Sequence, residues 1–372
     1  MPALLFAPYT MRDLTLANRI VVSPMAQYSA TPEGHATPWH LMHVGNLAVS
    51  GAGLVIMEAT AVEPRGRVSP RCLGLWTDAQ AEALRPVVEF CRAQGEAALG
   101  VQLAHAGRKG SVARPWEGNE TLPPGAGGWQ PVSSCDLAYP GRPVPQMLTL
   151  EEMAEIKAGY VAAARRADAL GFDLIELHAA HGYLLNCFLS PLANARNDAY
   201  GGDLLGRMRW PLEVFAALRA AWPAGKPIGV RISATDWAEG GWDVDDSVAL
   251  ARALKAQGCD YVTASSGGIS AAQAIRVKPG YQLPYARRIQ QEAGIAAMAV
   301  GLLHEPDLAE TALQDGAAEL IALGRGMMWE PRWPWHAAEA LGAPASFPPQ
   351  YARSHPSMRF GDPGRAFAER RR

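Results

Sequence analysis

Short apolar, β-rich runs alternate with longer stretches of helical period along almost the whole chain. The apolar runs fall at 19–25 (RIVVSPM), 54–59 (LVIMEA), 98–104 (ALGVQLA), 172–178 (FDLIELH), 227–232 (PIGVRI), 260–265 (DYVTAS), 296–300 (AAMAV) and 319–323 (ELIAL). They are continuous rather than alternating, so both faces are covered, as in a parallel sheet beneath helices. Helical patterns occupy 38–50, 78–94, 149–170, 203–221, 245–257, 282–293, 305–314 and 328–341. In the clearest of them Thr149 caps the first turn, Glu152 completes a capping box and Gly171 stops the helix. Strand–helix alternation repeated eight times predicts an α/β protein made of a single (β/α)8 TIM barrel over residues 1–345, with no element left over. Two segments fall outside the repeat. Residues 105–148, after the third strand, form a long Gly-, Pro- and Trp-containing loop of the kind that usually serves as a lid. Residues 346–372 form a C-terminal extension ending in RAFAERRR, which reads as a solvated tail.

Composition narrows the class. The 372 residues carry 34 basic and 36 acidic side chains, a net charge of −2, and 49% are apolar. Near-neutral charge removes the drive toward phosphate backbones, so no nucleic-acid partner is expected. No apolar run reaches the ~18 residues of a membrane span. The start, MPALLFAPYTMRD, lacks both the basic region and the apolar core of a secretory leader. Cys72, Cys91, Cys135, Cys187 and Cys259 are scattered and never spaced CxxC, which predicts a reducing, cytoplasmic setting and no thiolate-held metal.

A barrel enzyme builds its site from the carboxyl ends of its strands. Those ends carry Ser23-Pro24-Met25-Ala26-Gln27-Tyr28, Glu58-Ala59-Thr60, Gln102 with His105-Ala106-Gly107-Arg108-Lys109, His178-Ala179-Ala180-His181-Gly182-Tyr183, Arg231, Ser265-Ser266-Gly267-Gly268, Gly301, and Gly324-Arg325-Gly326. Gln102, His178 and Arg231 interrupt otherwise apolar runs, and burying such groups unpartnered is costly, so a ligand is expected among them. Glycines after strands seven and eight let backbone N–H groups approach a phosphate, and Arg325 adds charge. His178-x-x-His181 has the spacing of a metal pair. No nearby carboxylate or thiol completes a set, so no metal is expected. Two imidazoles can instead donate to one oxygen and polarise a carbonyl, with Tyr183 as a proton donor.

RIVVSPMAQYSA, LVIMEATAVEPRGR, GVQLAHAGRKG, ELHAAHGYLLNCFLSPLANARNDAYGGDLLGRMRW, VRISATDW and ALGRGMMWEP together resemble the Old Yellow Enzyme family of FMN-dependent ene-reductases, closest to its bacterial thermophilic-like, or xenobiotic-reductase-like, branch. The resemblance spans about residues 3–355 with order and spacing kept. It implies a tightly bound, non-covalent FMN at the barrel mouth and NADPH or NADH as reductant. Ser23, Pro24, Met25, Ala26 and Ala59 would line the isoalloxazine and Gln102 its pyrimidine edge. Arg231 would sit by N1 and C2=O, and Gly301, Gly324 and Arg325 would hold the phosphate. His178 and His181 would bind the carbonyl oxygen of an activated alkene, Tyr28 would flank it, and Tyr183 would protonate its α-carbon. The reaction implied is ping-pong, with hydride passing through flavin N5 to the β-carbon. Gln350-Tyr351-Ala352-Arg353 matches a C-terminal motif whose arginine enters the neighbouring subunit's site. Arg353 is therefore a candidate substrate contact, and a homodimer or higher homo-oligomer is expected.

One position departs from the pattern. The residue after Ser-Pro-Met in this branch is typically a cysteine that contacts the flavin, and here it is Ala26. An altered flavin potential and a roomier pocket are expected. Gln27 has no assigned role, and Trp116 and Trp129 in the long loop either shape substrate choice or pack over the barrel. The alternative function is a flavin-free barrel isomerase or aldolase acting on a phosphorylated substrate. It would explain the glycines but needs a base at a strand end, and Glu58 is the one candidate.

Overall fold

The structure is a computed structural model describing residues 3–354, so the tail at 355–372 lies outside the described residues. Eight parallel strands close into a barrel: β1 (Ile20–Val22), β2 (Leu54–Ala61), β3 (Ala98–Ala104), β4 (Leu174–Ala179), β5 (Ile228–Ser233), β6 (Tyr261–Ser265), β7 (Ala296–Val300) and β8 (Leu320–Leu323). The last strand pairs with the first, Ile321 facing Ile20 and Leu323 facing Val22. β1 is shorter than the apolar run at 19–25. Ser23 still donates its N–H to Leu323 O at 2.9 Å, and Pro24 then has no N–H to continue the ladder.

The helices α1 (Pro38–Ala48), α2 (Asp78–Gln94), α3 (Leu150–Leu170), α4 (Leu184–Leu189), α5 (Leu204–Ala221), α6 (Val244–Ala256), α7 (Leu283–Ala293) and α8 (Pro306–Gln314) surround the strands, followed by α9 (Arg325–Trp329) and α10 (Trp333–Ala340). At the start of α3, Thr149 Oγ1 accepts from the Glu152 N–H at 3.2 Å and Glu152 Oε2 from the Thr149 N–H at 3.0 Å, while Gly171 ends it at φ 92°. The pattern at 328–341 predicts one helix, but two form. Pro331 forces Glu330 out of the helical region (φ −131°, ψ 83°) and breaks the ladder between α9 and α10.

The repeat also leaves elements over. α4 lies between β4 and α5, and Val132–Ser133 pairs with Gln146–Met147 inside the long loop. An antiparallel hairpin of Tyr9–Met11 and Leu14–Leu16 precedes β1. Its Met11 and Leu16 pack with Val21, Leu54, Ile56, Leu174, Tyr261, Met298 and Leu320, an inner core distinct from the larger one under the helices. The hairpin thus stoppers the N-terminal end of the barrel. Glu310 of α8 accepts from the backbone N–H groups of Leu4 and Leu5 at 2.9 Å each, tying this end to the last turn of the repeat.

The first part of the C-terminal extension lies at that same end. Ser346, Pro348 and Pro349 share a crevice with Asn18, Gly51 and Ala97, which precede β1, β2 and β3. The Tyr351 ring lies 5.9 Å from that of Trp335. Among the described residues no helix is long and apolar enough to cross a membrane, and no group of three or more His, Cys, Asp or Glu could hold a metal.

Candidate active site

The barrel interior turns from apolar to polar as the strands rise toward their carboxyl ends. Two residues beyond Leu174, Glu176 faces the interior with no exposed surface. The β3–β4 register sets it directly beside Gln102. Its Oε1 accepts from Gln102 Nε2 at 2.8 Å and its Oε2 from Thr263 Oγ1 at 2.6 Å. Two residues further up, His178 stands opposite Arg231, whose Nη1 donates to Ser23 Oγ at 2.8 Å. Burial raises the Glu176 carboxyl and lowers the Arg231 guanidinium, and each opposes the shift of the other.

Beside this layer opens a cavity of about 250 Å³, lined by Ser23, Pro24 and Met25 after β1, Arg231, Gly301 after β7, and Gly324 and Arg325 after β8. Gly301 has φ +123°, and a Cβ there would come within 2.8 Å of Gln282 Nε2, so only glycine fits. Arg325 is exposed at the cavity edge and has no partner among the described residues. Glycine backbone after β7 and β8 with an unpaired arginine suits a phosphate.

After β4 the His178 ring meets the His181 ring edge-on at 5.2 Å and the Tyr183 ring at 5.0 Å. The Ala180 N–H donates to His178 Nδ1 at 3.2 Å, which leaves the ring proton on Nε2. Burial first, then the positive charge of Arg231, holds both imidazoles well below the usual histidine range. They are neutral donors at neutral pH. His181 Nε2 lies 2.7 Å from Ser265 Oγ, and the His181 backbone N–H donates to Ser233 Oγ at 2.9 Å. His181 (φ 62°) and Tyr28 (φ 51°) are both left-handed, at a cost of ~1–2 kcal/mol each. A Cβ on Gly268 would come within 2.5 Å of His181 Cα, so glycine there lets the β6 loop brace this turn.

Burial raises the Tyr183 phenol, with Tyr28 and Cys72 adding to the effect, so it stays protonated. Burial likewise pushes Tyr28 up to about 12. The Tyr28 ring meets Trp116 edge-on at 5.9 Å, which brings one tryptophan of the long loop to the site. Trp129 instead packs away, its Nε1 donating to Arg65 O at 3.1 Å. Gln102 Oε1, His178 Nε2 and Tyr183 Oη have no hydrogen-bond partner among the described residues and are not sealed from solvent. An array of this kind is satisfied by a ligand.

Ala26 is half-buried between Met25 and Gln27, and Ala59 pairs with Gln102 just past an irregularity in the β2–β3 register at Glu58. Gln27 acquires a role. It accepts from Trp39 Nε1 at 3.1 Å and donates to Met25 O at 2.9 Å, pinning the segment after β1 to α1. Glu58 is committed to the Gln27 N–H at 2.9 Å and lies 3.3 Å from His40 Nε2, so it braces the wall rather than serving as a base. Arg353 does not join this mouth, because its segment lies at the opposite end of the barrel.

Two site residues escaped the sequence reading. Glu176 was signalled only by a carboxylate inside the apolar run FDLIELH. Lys109 stood at a strand end without a role. Its Nζ donates to His181 O at 2.8 Å and lies 5.3 Å above the Tyr183 ring, and burial pulls the amine down to about 8. Deprotonation of Lys109 removes a charge that favours proton release from the phenol. Proton release from Tyr183 is therefore expected to become harder as pH rises through this value, and Lys109→Met is expected to remove that dependence from the pH–rate profile of alkene reduction. Stability moves the other way. The amine titrates lower in the folded protein than the 10.5 of a free lysine, so stability is present above 10.5 and lost as pH falls through about 8.

The family pattern of the NADH:flavin oxidoreductase / NADH oxidase family matches residues 4–343. The chain is 43% identical to an NADPH dehydrogenase of Geobacillus sp. (strain WCH70), covering 95% of this chain and 99% of that relative. It is 39% identical to the NADPH dehydrogenase of Bacillus subtilis (strain 168), covering 94% and 98%. Among solved structures, morphinone reductase aligns with a TM-score of 0.76 at 27% identity, covering 97% of this chain and 94% of that one. The old yellow enzyme homologue from Zymomonas mobilis aligns with a TM-score of 0.75 at 26% identity, covering 92% and 94%. On these matches the chain belongs to the NADH:flavin oxidoreductase / NADH oxidase family as an FMN enzyme of the Old Yellow Enzyme type that draws its electrons from NAD(P)H.

Proposed function

We propose that this enzyme reduces the C=C bond of α,β-unsaturated carbonyls and related activated alkenes. The observation that carries the reading is the set of unpartnered donors, His178 Nε2 and Tyr183 Oη, beside a cavity that suits FMN. FMN held here would supply hydride-transfer chemistry, with NAD(P)H as the reductant.

The chain's own residues supply the rest. Gln102, Arg231 and the segment Ser23–Met25, with Ala26 and Ala59 alongside, would hold the ring system. Gly301, Gly324 and Arg325 would hold the phosphate. Neutral His178 donates from Nε2 to the substrate carbonyl oxygen, and His181 offers Nδ1, its other nitrogen being engaged by Ser265. Charge accumulates on that oxygen as the β-carbon accepts hydride, and a prepositioned donor there is worth about 3 kcal/mol. Tyr183 Oη then passes its proton to the α-carbon. Tyr28 and Trp116 would flank the alkene. The hairpin closes the other end of the barrel, so reductant and alkene use one mouth in turn.

The test is colour. Purified protein is expected to carry a yellow flavin absorbance that bleaches with NADPH and returns with 2-cyclohexenone but not with cyclohexanone. Colourless protein that isomerises a sugar phosphate would support the alternative instead. With Glu58 engaged by Gln27 and His40, that alternative lacks its base.

Two further expectations follow. A second copy would bring its Arg353 to this mouth, so sedimentation should give a dimer or larger, and Arg353→Ala should raise KM for the alkene. Ala26→Cys, which restores a polarisable group beside the ring, is expected to shift the flavin midpoint potential by about 30 mV, equivalent to ~1.4 kcal/mol for a two-electron couple. Identical midpoints in a potentiometric titration would remove any tuning role from this position.

A further inference from the structure

We propose that Glu176 is a positioning residue that locks the side-chain amide of Gln102, so that Gln102 presents its oxygen at the mouth and recognises the imide N–H edge of the isoalloxazine. The inference rests on the assignment of FMN to this mouth, with Gln102 at the pyrimidine edge, and goes beyond it by naming the residue that enforces which end of the amide faces the ring. A glutamine amide has a donor end and an acceptor end of nearly equal shape, and by itself Gln102 could offer either. An ionised carboxylate only accepts. Glu176 is wholly buried one strand away, in direct register with Gln102, and its Oε1 takes the Gln102 Nε2 donor at 2.8 Å. Rotating the amide would bring two acceptors face to face.

Thr263 Oγ1 donates to the other carboxylate oxygen at 2.6 Å, so Glu176 cannot turn away from Gln102 without losing a second bond. Both carboxylate oxygens thus face donors, the arrangement of an acceptor, and the Arg231 charge opposes the rise that burial imposes on this carboxyl. The consequence is a single acceptor, Gln102 Oε1, left without a partner among the described residues and not sealed from solvent. The edge it suits is an N–H.

The test compares two flavins on the full-length chain after removal of its own flavin, titrated by quenching of flavin fluorescence. Wild type is expected to bind FMN about tenfold or more tighter than 3-methyl-FMN, whose imide nitrogen has no hydrogen to donate. Glu176→Gln keeps the volume but can face Gln102 with either amide end, and is expected to bring the two affinities close together. Thr263→Val leaves the carboxylate beside Gln102 and is expected to retain most of the ratio. A wild-type ratio in Glu176→Gln overturns the proposal, and so does equal loss in both variants, which would mark a general loosening. If circular dichroism finds Glu176→Gln unfolded, Glu176→Asp takes its place. The shorter side chain cannot span Gln102 and Thr263 together, so an undiminished ratio there overturns the proposal. Binding of neither flavin by wild type overturns the cofactor assignment along with the proposal, whereas equal binding of both overturns the proposal alone.

Discussion

Arg231→Leu is expected to cost about 3–5 kcal/mol of stability and to yield a protein that no longer retains FMN. The loss is large because the cation is buried and its removal leaves Glu176 as an uncompensated charge inside the barrel. The pH dependence identifies the cause. Burial already raises Glu176, and Arg231 restrains that rise. Without the arginine the folded value climbs further above the unfolded one. The variant's stability is then fully present below the usual carboxylate range and is lost as pH rises through the raised value. Thermal melts across pH should reveal this slope. The double variant Arg231→Leu with Glu176→Gln should remove it and recover much of the stability without recovering flavin. A melting temperature independent of pH in the single variant would mean the two side chains are not coupled.

Tyr183→Phe is expected to slow alkene reduction by about 10²–10⁴-fold, the range for loss of a positioned proton donor, and to slow bleaching by NADPH far less. The phenol stays protonated because burial holds its pKa high, and Lys109 sits 5.3 Å above its ring. Stopped-flow absorbance separates the two half-reactions. In D₂O the variant's residual product should lose stereospecific labelling at the α-carbon. An unchanged rate with unchanged labelling would remove Tyr183 from the proton path.

The barrel was legible because each buried parallel strand must be apolar on both faces, as in LVIMEA and FDLIEL, and each helix carries its own stop signal, as Gly171 does. What escaped was set by tertiary contact. The three-residue arms of the Tyr9–Leu16 hairpin are too short for periodicity to register, and they exist because Met11 and Leu16 have a barrel floor to cover. The split at Pro331 was visible in the chain, yet apolar spacing across 328–341 masked it. Among the site residues, those at strand ends could be named one by one. Glu176 could not, because its meaning lies in the β3–β4 register that puts it against Gln102. The role of Gln27 likewise depends on Trp39, brought to it by α1.

The pairing of Ile20 with Ile321 has a consequence for how the molecule is made. During synthesis the first strand leaves the ribosome about 300 residues ahead of its partner, and until that partner emerges the growing sheet keeps a raw margin of unpaired amides. Closure therefore waits for β8, and joining segments so distant carries a loop-entropy cost that local pairings escape. Deleting β8 would leave an unclosed, aggregation-prone sheet, and slower translation or chaperone supply should raise the yield of the complete chain.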